Sequence, residues 1–338
     1  ILYKVNYCAR TAMSVLMEIA EFRIRSSDDL YQNGLKIEWE KYLDTEMTFS
    51  VVPVVHSPVF NHTGYAGLLL KDAIADRFSQ KTGKRPSVGT ANPDIVFNLH
   101  ISNDQVTVSV DSSVIPLYKR GYRREQGLAP INEVLAAGIV LLSGWDRTIP
   151  LLDPMCGSGT IPVEAALIAS GIPPGKFRSY FGFQRWMDYD EDLFIKIKEE
   201  SEAGINKSDI SISCSDIDKS AVLFTKNNIE SAGLSDIISV EQQDFSNLKG
   251  TSNNGFIIMN PPYGERMKQT ESENLYGMIG TTLKHNFPGY KAFLITSDKE
   301  ALKKVGLKHR QKLTLYNGSL ECVLVKYELY EGSKKNRG

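Results

Sequence analysis

The chain has 338 residues, 39 Lys and Arg against 40 Asp and Glu, and a net charge of −1. That length suggests about two domains, with a core large enough to need no disulfide or metal staple. The charge balance excludes a polycation held on nucleic acid by bulk electrostatics, but leaves room for a local basic patch.

No apolar run approaches the roughly 18 residues that span a membrane. The chain opens on Ile1 without an initiator Met, which reads as an N-terminal truncation, and the opening has no signal-peptide pattern. The four cysteines, Cys8, Cys156, Cys214 and Cys322, lie far apart with no CxxC pair. No metal site is expected from them; the pattern fits reduced thiols in a cytoplasm.

In chain order, Thr48–Val55 reads as a strand and Gly67–Gln80 as a helix. Ile95–Ile101 and Gln105–Val110 read as a hairpin across Ser102-Asn103-Asp104. Together these make a small α/β module of RNA-binding size. From about residue 131 the text becomes regular. Ile131–Ser143 is apolar at helical spacing. Strands follow at Ile149–Leu152, Ile210–Cys214, Ile238–Gln242, Gly255–Met259 and Lys291–Thr296, each leading into a helix. That alternation implies a parallel sheet covered on both faces. Gln311–Tyr316 and Leu320–Tyr327, joined through Asn317-Gly318, read as a closing antiparallel hairpin. An α/β sheet of this plan, Rossmann-like and parallel with a terminal antiparallel hairpin, resembles the class I S-adenosylmethionine (SAM) methyltransferases.

Asp153-Pro154-Met155-Cys156-Gly157-Ser158-Gly159-Thr160 joins the first of those strands to a helix. Gly157 and Gly159 allow a sharp turn close to a ligand, and the helix start offers N–H groups to an anion. A SAM carboxylate or a phosphate fits. No Gly-Lys-Ser/Thr follows, and there is no third glycine of a GxGxxG. Asp216, beside Ile217 at the end of the next strand, can accept ribose hydroxyls, whereas Asp218 reads as a helix cap. Asp244 can accept from an adenine amine, with Phe245 against the ring, although a lone acid there is commonly a turn residue.

Asn260-Pro261-Pro262-Tyr263 follows the fourth strand. The prolines remove two N–H donors and stiffen the chain. The Asn260 side-chain oxygen and the Pro261 carbonyl can then grip both N–H bonds of a planar amine. That grip frees the nitrogen lone pair and stabilises the positive charge of methyl transfer. Tyr263 can stack on the substrate ring. Adenine N6, guanine N2 and a glutamine amide all satisfy this chemistry.

The segments DPMCGSGT, SDID and NPPYGER, with GYRREQGLAPINEVLAAGIVLLSGW upstream, resemble the THUMP-containing RNA guanine-N2 methyltransferases, bacterial 23S ribosomal RNA enzymes in particular. The likeness implies part of a ferredoxin-like subdomain at 1–44, a THUMP RNA-binding domain at 45–112, a linker at 113–130, the methyltransferase domain at 131–330 and a polar tail at 331–338. It implies SAM as cofactor, held by residues 153–160, Asp216, Ile217, Asp244, Phe245 and Asn260, and a flipped guanine of large-subunit ribosomal RNA at residues 260–263. No membrane or metal partner is implied. A non-catalytic ribosome-assembly factor is the rival from another class.

RNA contact is expected from Lys71, Arg77, Lys81, Lys84 and Arg85 on and after one helix, and from Lys119, Arg120, Arg123 and Arg124 near the junction. Lys176, Phe177, Arg178, Tyr180, Phe181, Phe183, Arg185 and Trp186 interleave basic and aromatic residues, which suits either RNA stacking or a lid packed on the core.

Overall fold

A computed structural model describes residues 1–89, 91–125, 130–206, 210–262 and 269–330. The chain divides into two compact units. One is Ile1–Leu117 together with Arg178–Glu200; the other is Tyr118–Phe177 together with Ser201–Gly338.

The first unit contains α1 (Leu2–Cys8), β1 (Leu16–Arg23), α2 (Ser27–Lys36), β2 (Thr48–His56), α3 (Thr63–Thr82), β3 (Ser87–Val88), β4 (Ile95–Ser102) and β5 (Gln105–Asp111). Its sheet has the order β1-β5-β4-β2-β3. Along β2 the side chains alternate: Phe49 and Val51 are buried, Val52 and Val54 exposed. The buried side meets Leu30 of α2 and Leu70, Ile74 and Phe78 of α3. A capping box starts α2: Ser26 Oγ accepts from the Asp29 N–H and Asp29 Oδ2 from the Ser26 N–H. Because β1 pairs antiparallel with β5, the sheet draws on residues well before 45.

The inserted stretch 178–200 belongs to this unit, not to the methyltransferase-like one. Phe181, Phe183 and Phe194 pack with Tyr3 and Tyr7 of α1; the Tyr3 and Phe183 rings stack with centroids 4.4 Å apart. Arg178 donates to the Ile115 and Pro116 carbonyls, and Arg185 pairs with Asp94 at 3.1 Å. Phe181, Phe183 and Phe194 are core, as the packing alternative expects, while Tyr180 and Trp186 are half-buried.

The remaining elements are α4 (Glu133–Leu142), β6 (Leu151–Asp153), α5 (Thr160–Ala169), α6 (Glu191–Glu202), β7 (Ile212–Asp216), α7 (Lys219–Ser231), β8 (Ile238–Gln242), β9 (Phe256–Met259), α8 (Gln269–Asn286), β10 (Lys291–Thr296), α9 (Lys299–Leu302), β11 (Gln311–Asn317) and β12 (Leu320–Glu328). Their sheet has the order β11-β12-β10-β9-β6-β7-β8. It is parallel except for β12, which runs antiparallel to β10 and β11. Central β9 is buried on both faces: Phe256 and Ile258 join the core with α4 and α5, while Ile257 and Met259 join the core with α8. That explains its uninterrupted apolar text. Strand order reverses between β6 and β9, which opens a crevice at their carboxyl ends. Among the described residues, no helix is long and apolar enough to cross a membrane.

The closing hairpin differs by one residue from its expected turn. Asn317 pairs with Leu320, so the loop is Gly318-Ser319. Gly318 takes φ +64° at the first loop position, which glycine tolerates. The stretch expected as a linker, 113–130, is shared between the units, with Ser113 buried in one and Arg120 and Tyr122 buried in the other.

Candidate active site

The crevice at the strand ends is a cavity of about 430 Å³. Residues 153–158 and Thr160, then Asp216 and Ile217, Asp244 and Phe245, and Asn260 and Pro262 all line it. Four loops far apart in sequence therefore meet in one space. Pro261 is buried and Gly159 starts α5; neither is among the described lining residues. Tyr263 and the rest of YGER fall outside the described residues.

The glycine loop is held by side chains from the neighbouring strand and helix. Gly157 and Gly159 take φ +56° and +78°. The Gly157 N–H donates to Asp216 Oδ2 at 2.9 Å. Thr225 of α7 donates its hydroxyl to the Gly157 carbonyl at 2.8 Å. Asp216 Oδ1 accepts from the Asp218 N–H. This spends two of the roughly four acceptor positions of the Asp216 carboxylate and leaves the others for ligand hydroxyls. Asp218 caps α7 through the Ser220 N–H, and Asp244 Oδ1 accepts from the Ser246 N–H.

Two acceptors in the cavity have no partner. Asp153 Oδ2 and Asn260 Oδ1 are both buried without a hydrogen bond among the described residues. Such groups are costly and mark places where a ligand donor belongs. Burial pushes the Asp153 carboxyl well above the usual range, with the Met155 N–H pulling the other way. A buried acid of this kind holds its proton more tightly folded than unfolded. Its contribution to stability therefore falls as pH rises from the ordinary carboxylate range toward the raised value. Asp153→Asn should flatten that part of the pH dependence, whatever it does to absolute stability. Thermal melts of both proteins between pH 5 and 9 would show it; identical slopes would refute the assignment.

Leu275 and Met278 of α8, Ala221 of α7 and Gln243 also line the cavity and carried no legible mark in the sequence. Pro130 and Ile131 line it as well, within the stretch 118–133 whose family likeness suggests contact with SAM. Leu275 and Met278 lie three apart on a helix whose Tyr276, Ile279 and Leu283 fill the core, so they read as more of the same stripe.

The basic residues proposed for RNA mostly have other work. Arg120 is buried against Glu164 at 3.4 Å, and the Tyr122 hydroxyl donates to the same carboxylate at 3.1 Å. An Arg with 1% of its side chain exposed cannot meet a phosphate. Arg123, 12% exposed, pairs with Glu133 and donates to the Ile131 carbonyl and the Thr160 hydroxyl. Arg77, also 12% exposed, is bound to Glu40 and the Leu35 carbonyl. Burial raises Glu40, but hydrogen bonds from Arg77 and Lys81 outweigh it and hold its carboxyl at about 2. Lys84 and Arg85 make exposed pairs with Glu46 and Asp76, which are weak enough to exchange for phosphate. Lys119 and Arg124 are exposed and Lys71 is half-buried.

Comparison with known proteins finds two family domains in the chain. Residues 120–326 match the RMKL-like methyltransferase domain and residues 25–111 the THUMP domain. A protein of Synechocystis sp. named as an RNA methyltransferase, slr0064, is 36% identical over 98% of this chain and 86% of its own length. The ribosomal RNA large subunit methyltransferase K/L of Syntrophotalea carbinolica is 37% identical over 97% of this chain, which spans 48% of that relative. Among solved structures, SMU.472, described as a methyltransferase complexed with SAH, superposes with a TM-score of 0.87 at 31% identity, covering 98% of this chain and 88% of its own. The chain belongs to the RMKL-like methyltransferase family, with a THUMP domain ahead of its methyltransferase domain.

Proposed function

We propose that the protein transfers a methyl group from SAM to the exocyclic N2 amine of a guanine in large-subunit ribosomal RNA, in the cytoplasm. The observation that carries this reading is Asn260 Oδ1, a buried acceptor without a partner among the described residues, in the same cavity as the glycine loop. The cavity fits the cofactor. Among the described residues, nothing lies within 4 Å of where a Cβ on Gly157 would stand. The second orphaned acceptor, Asp153 Oδ2, can take the donors of the methionine end. Asp216 keeps acceptor positions for the ribose, and Phe245, Ile217, Leu275 and Met278 offer an apolar slot for the adenine.

Bound there, SAM supplies an electrophilic methyl on a sulfonium. Asn260 Oδ1 and the Pro261 carbonyl accept the N–H bonds of the target amine and turn its lone pair toward that methyl. Asn260 is neutral, so it orients and polarises; the proton leaves to solvent after transfer. A base inside a helix cannot reach this crevice, so the guanine is flipped out first. The THUMP domain supplies RNA affinity, with Lys84 and Arg85 as exposed cations. The names of the relatives favour RNA over a protein glutamine as substrate.

The test is mass spectrometry of nucleosides from unmodified ribosomal RNA incubated with the protein and methyl-labelled SAM. Labelled N2-methylguanosine is the expected product. Labelled 6-methyladenosine alone would overturn the choice of base, and absence of SAM binding would favour the assembly-factor reading.

A further inference from the structure

Asn228 on α7 is 1% exposed and uses all of its hydrogen-bonding capacity. Its Oδ1 accepts from the Arg124 and Glu125 backbone N–H groups at 2.9 and 3.2 Å. Its Nδ2 donates to the Glu125 carbonyl and to the Ser158 carbonyl of the glycine loop, both at 2.9 Å. Arg123, one residue before this pinned stretch, reaches the other end of the same wall. Its Nη2 bridges the Ile131 carbonyl at 3.0 Å and the Thr160 hydroxyl at 2.6 Å. Glu133, in the first turn of α4, lies 3.1 Å from Arg123 Nε as an ion pair without hydrogen-bond geometry. Ser158, Thr160, Pro130 and Ile131 all line the cavity.

We propose that Asn228 and Arg123 are positioning residues for the cofactor: Asn228 ties Arg124 and Glu125 to Ser158 of the glycine loop, Arg123 ties Ile131 to Thr160, and together they set SAM affinity. This rests on the reading of the cavity as a SAM site. Neither residue is among the described lining residues, so both act through the wall they hold. Arg123, offered by the sequence as an RNA contact, also lies in the stretch 118–133 whose family likeness suggests contact with SAM; its hydrogen bonds to Ile131 and Thr160 favour the second role. Asn228 had no mark at all beyond being a polar residue in a helix.

The separation of effects follows from the bonds. Losing Asn228 leaves two N–H groups and two carbonyls of a partly buried junction without their partner, which loosens the wall. It does not move Asn260, which is held by β9. SAM affinity should therefore fall while the chemical step survives.

The experiment uses the whole chain. Calorimetric SAM binding, RNA binding and steady-state kinetics are compared for wild type, Asn228→Ala, Asn228→Asp and Arg123→Met, with thermal melts as the control for folding. Asn228→Ala and Arg123→Met should each raise the SAM Kd and KM about tenfold or more, with kcat at saturating SAM within about threefold and RNA affinity unchanged. Asn228→Asp keeps both acceptors but sets a carboxylate against two carbonyls, so it should bind SAM no better than the alanine variant. If the alanine variant does not fold, the near-isosteric Asp variant and Arg123→Met carry the test. Unchanged SAM affinity in folded variants overturns the positioning roles, as does a fall in RNA affinity alone for Arg123→Met. Wild type that binds no SAM would overturn the cofactor reading itself and with it the positioning roles; a SAM-binding wild type with untouched variants sinks the positioning roles only.

Discussion

Asn260→Ala should lower kcat by about 10³-fold while leaving SAM affinity within about threefold of wild type. Removing one preorganised group that stabilises developing charge costs about 10² to 10³ in rate. Here the same atom also frees the lone pair of a delocalised amine, which puts the loss at the upper end. Single-turnover methylation with saturating SAM, set beside calorimetric SAM binding, measures the two quantities separately. Stability should move the other way. Asn260 Oδ1 is buried and unpaired in the protein alone among its described residues. Deleting an orphaned acceptor removes a desolvation penalty of about 1–3 kcal/mol. The variant should thus melt no lower than wild type. A structural asparagine would do the reverse: a lower melting point with little change in turnover. Asn260→Asp keeps an acceptor oxygen and should retain more activity than the alanine variant. If Asn260→Ala turns over at the wild-type rate, the proposed chemistry is wrong.

The contrast between Asn260 and the arginines shows what was legible in the text and what was not. Strands buried on both faces were clear, because a run such as Phe256–Met259 is unbroken and bounded by turns; β10 has the ends expected for it, and so does the more exposed edge strand β8. β1 was missed. Leu16–Arg23 alternates between partly buried and exposed positions and carries Glu18 and Glu21, so its text is weak. It becomes a strand because β5 offers it an edge. Helix α3 begins at Thr63, earlier than the expected Gly67; its N-cap residue, His62, makes no side-chain capping bond that would mark the start in the text. The cavity was legible at its loops, where glycine, proline and acids leave marks at strand ends. Its apolar wall was not, since Leu275 and Met278 share a stripe with core residues. Charge was the least legible property. Arg120 and Arg123 look like RNA contacts when counted, yet each lies beside a glutamate more than nine residues away, Glu164 and Glu133. Composition cannot tell a phosphate ligand from half of a buried ion pair.

The two glycines of the loop should separate binding from folding. Gly159→Ala faces two costs. A left-handed backbone at φ +78° costs an L-residue about 1–2 kcal/mol. The new Cβ would also stand 2.8 Å from Thr225 Cγ2, and overpacking of that kind costs typically about 1–3 kcal/mol. Together these reach about 2–5 kcal/mol, a large share of the roughly 5–15 kcal/mol that holds a typical protein folded. Gly157→Ala carries the backbone cost at φ +56° but meets nothing within 4 Å among the described residues. Its methyl enters open space beside the cavity, where the cofactor would lie. Gly159→Ala should therefore melt far below wild type, whereas Gly157→Ala should stay folded and lose SAM affinity. Thr225→Ser removes the Cγ2 that Gly159→Ala strikes, while keeping the hydroxyl that bonds the Gly157 carbonyl. The double variant should regain about 1 kcal/mol or more over Gly159→Ala alone, a coupling expected only of groups in contact. Strict additivity of the two substitutions in denaturant titrations would show that the strain lies in the backbone and not in the packing of α5 on α7.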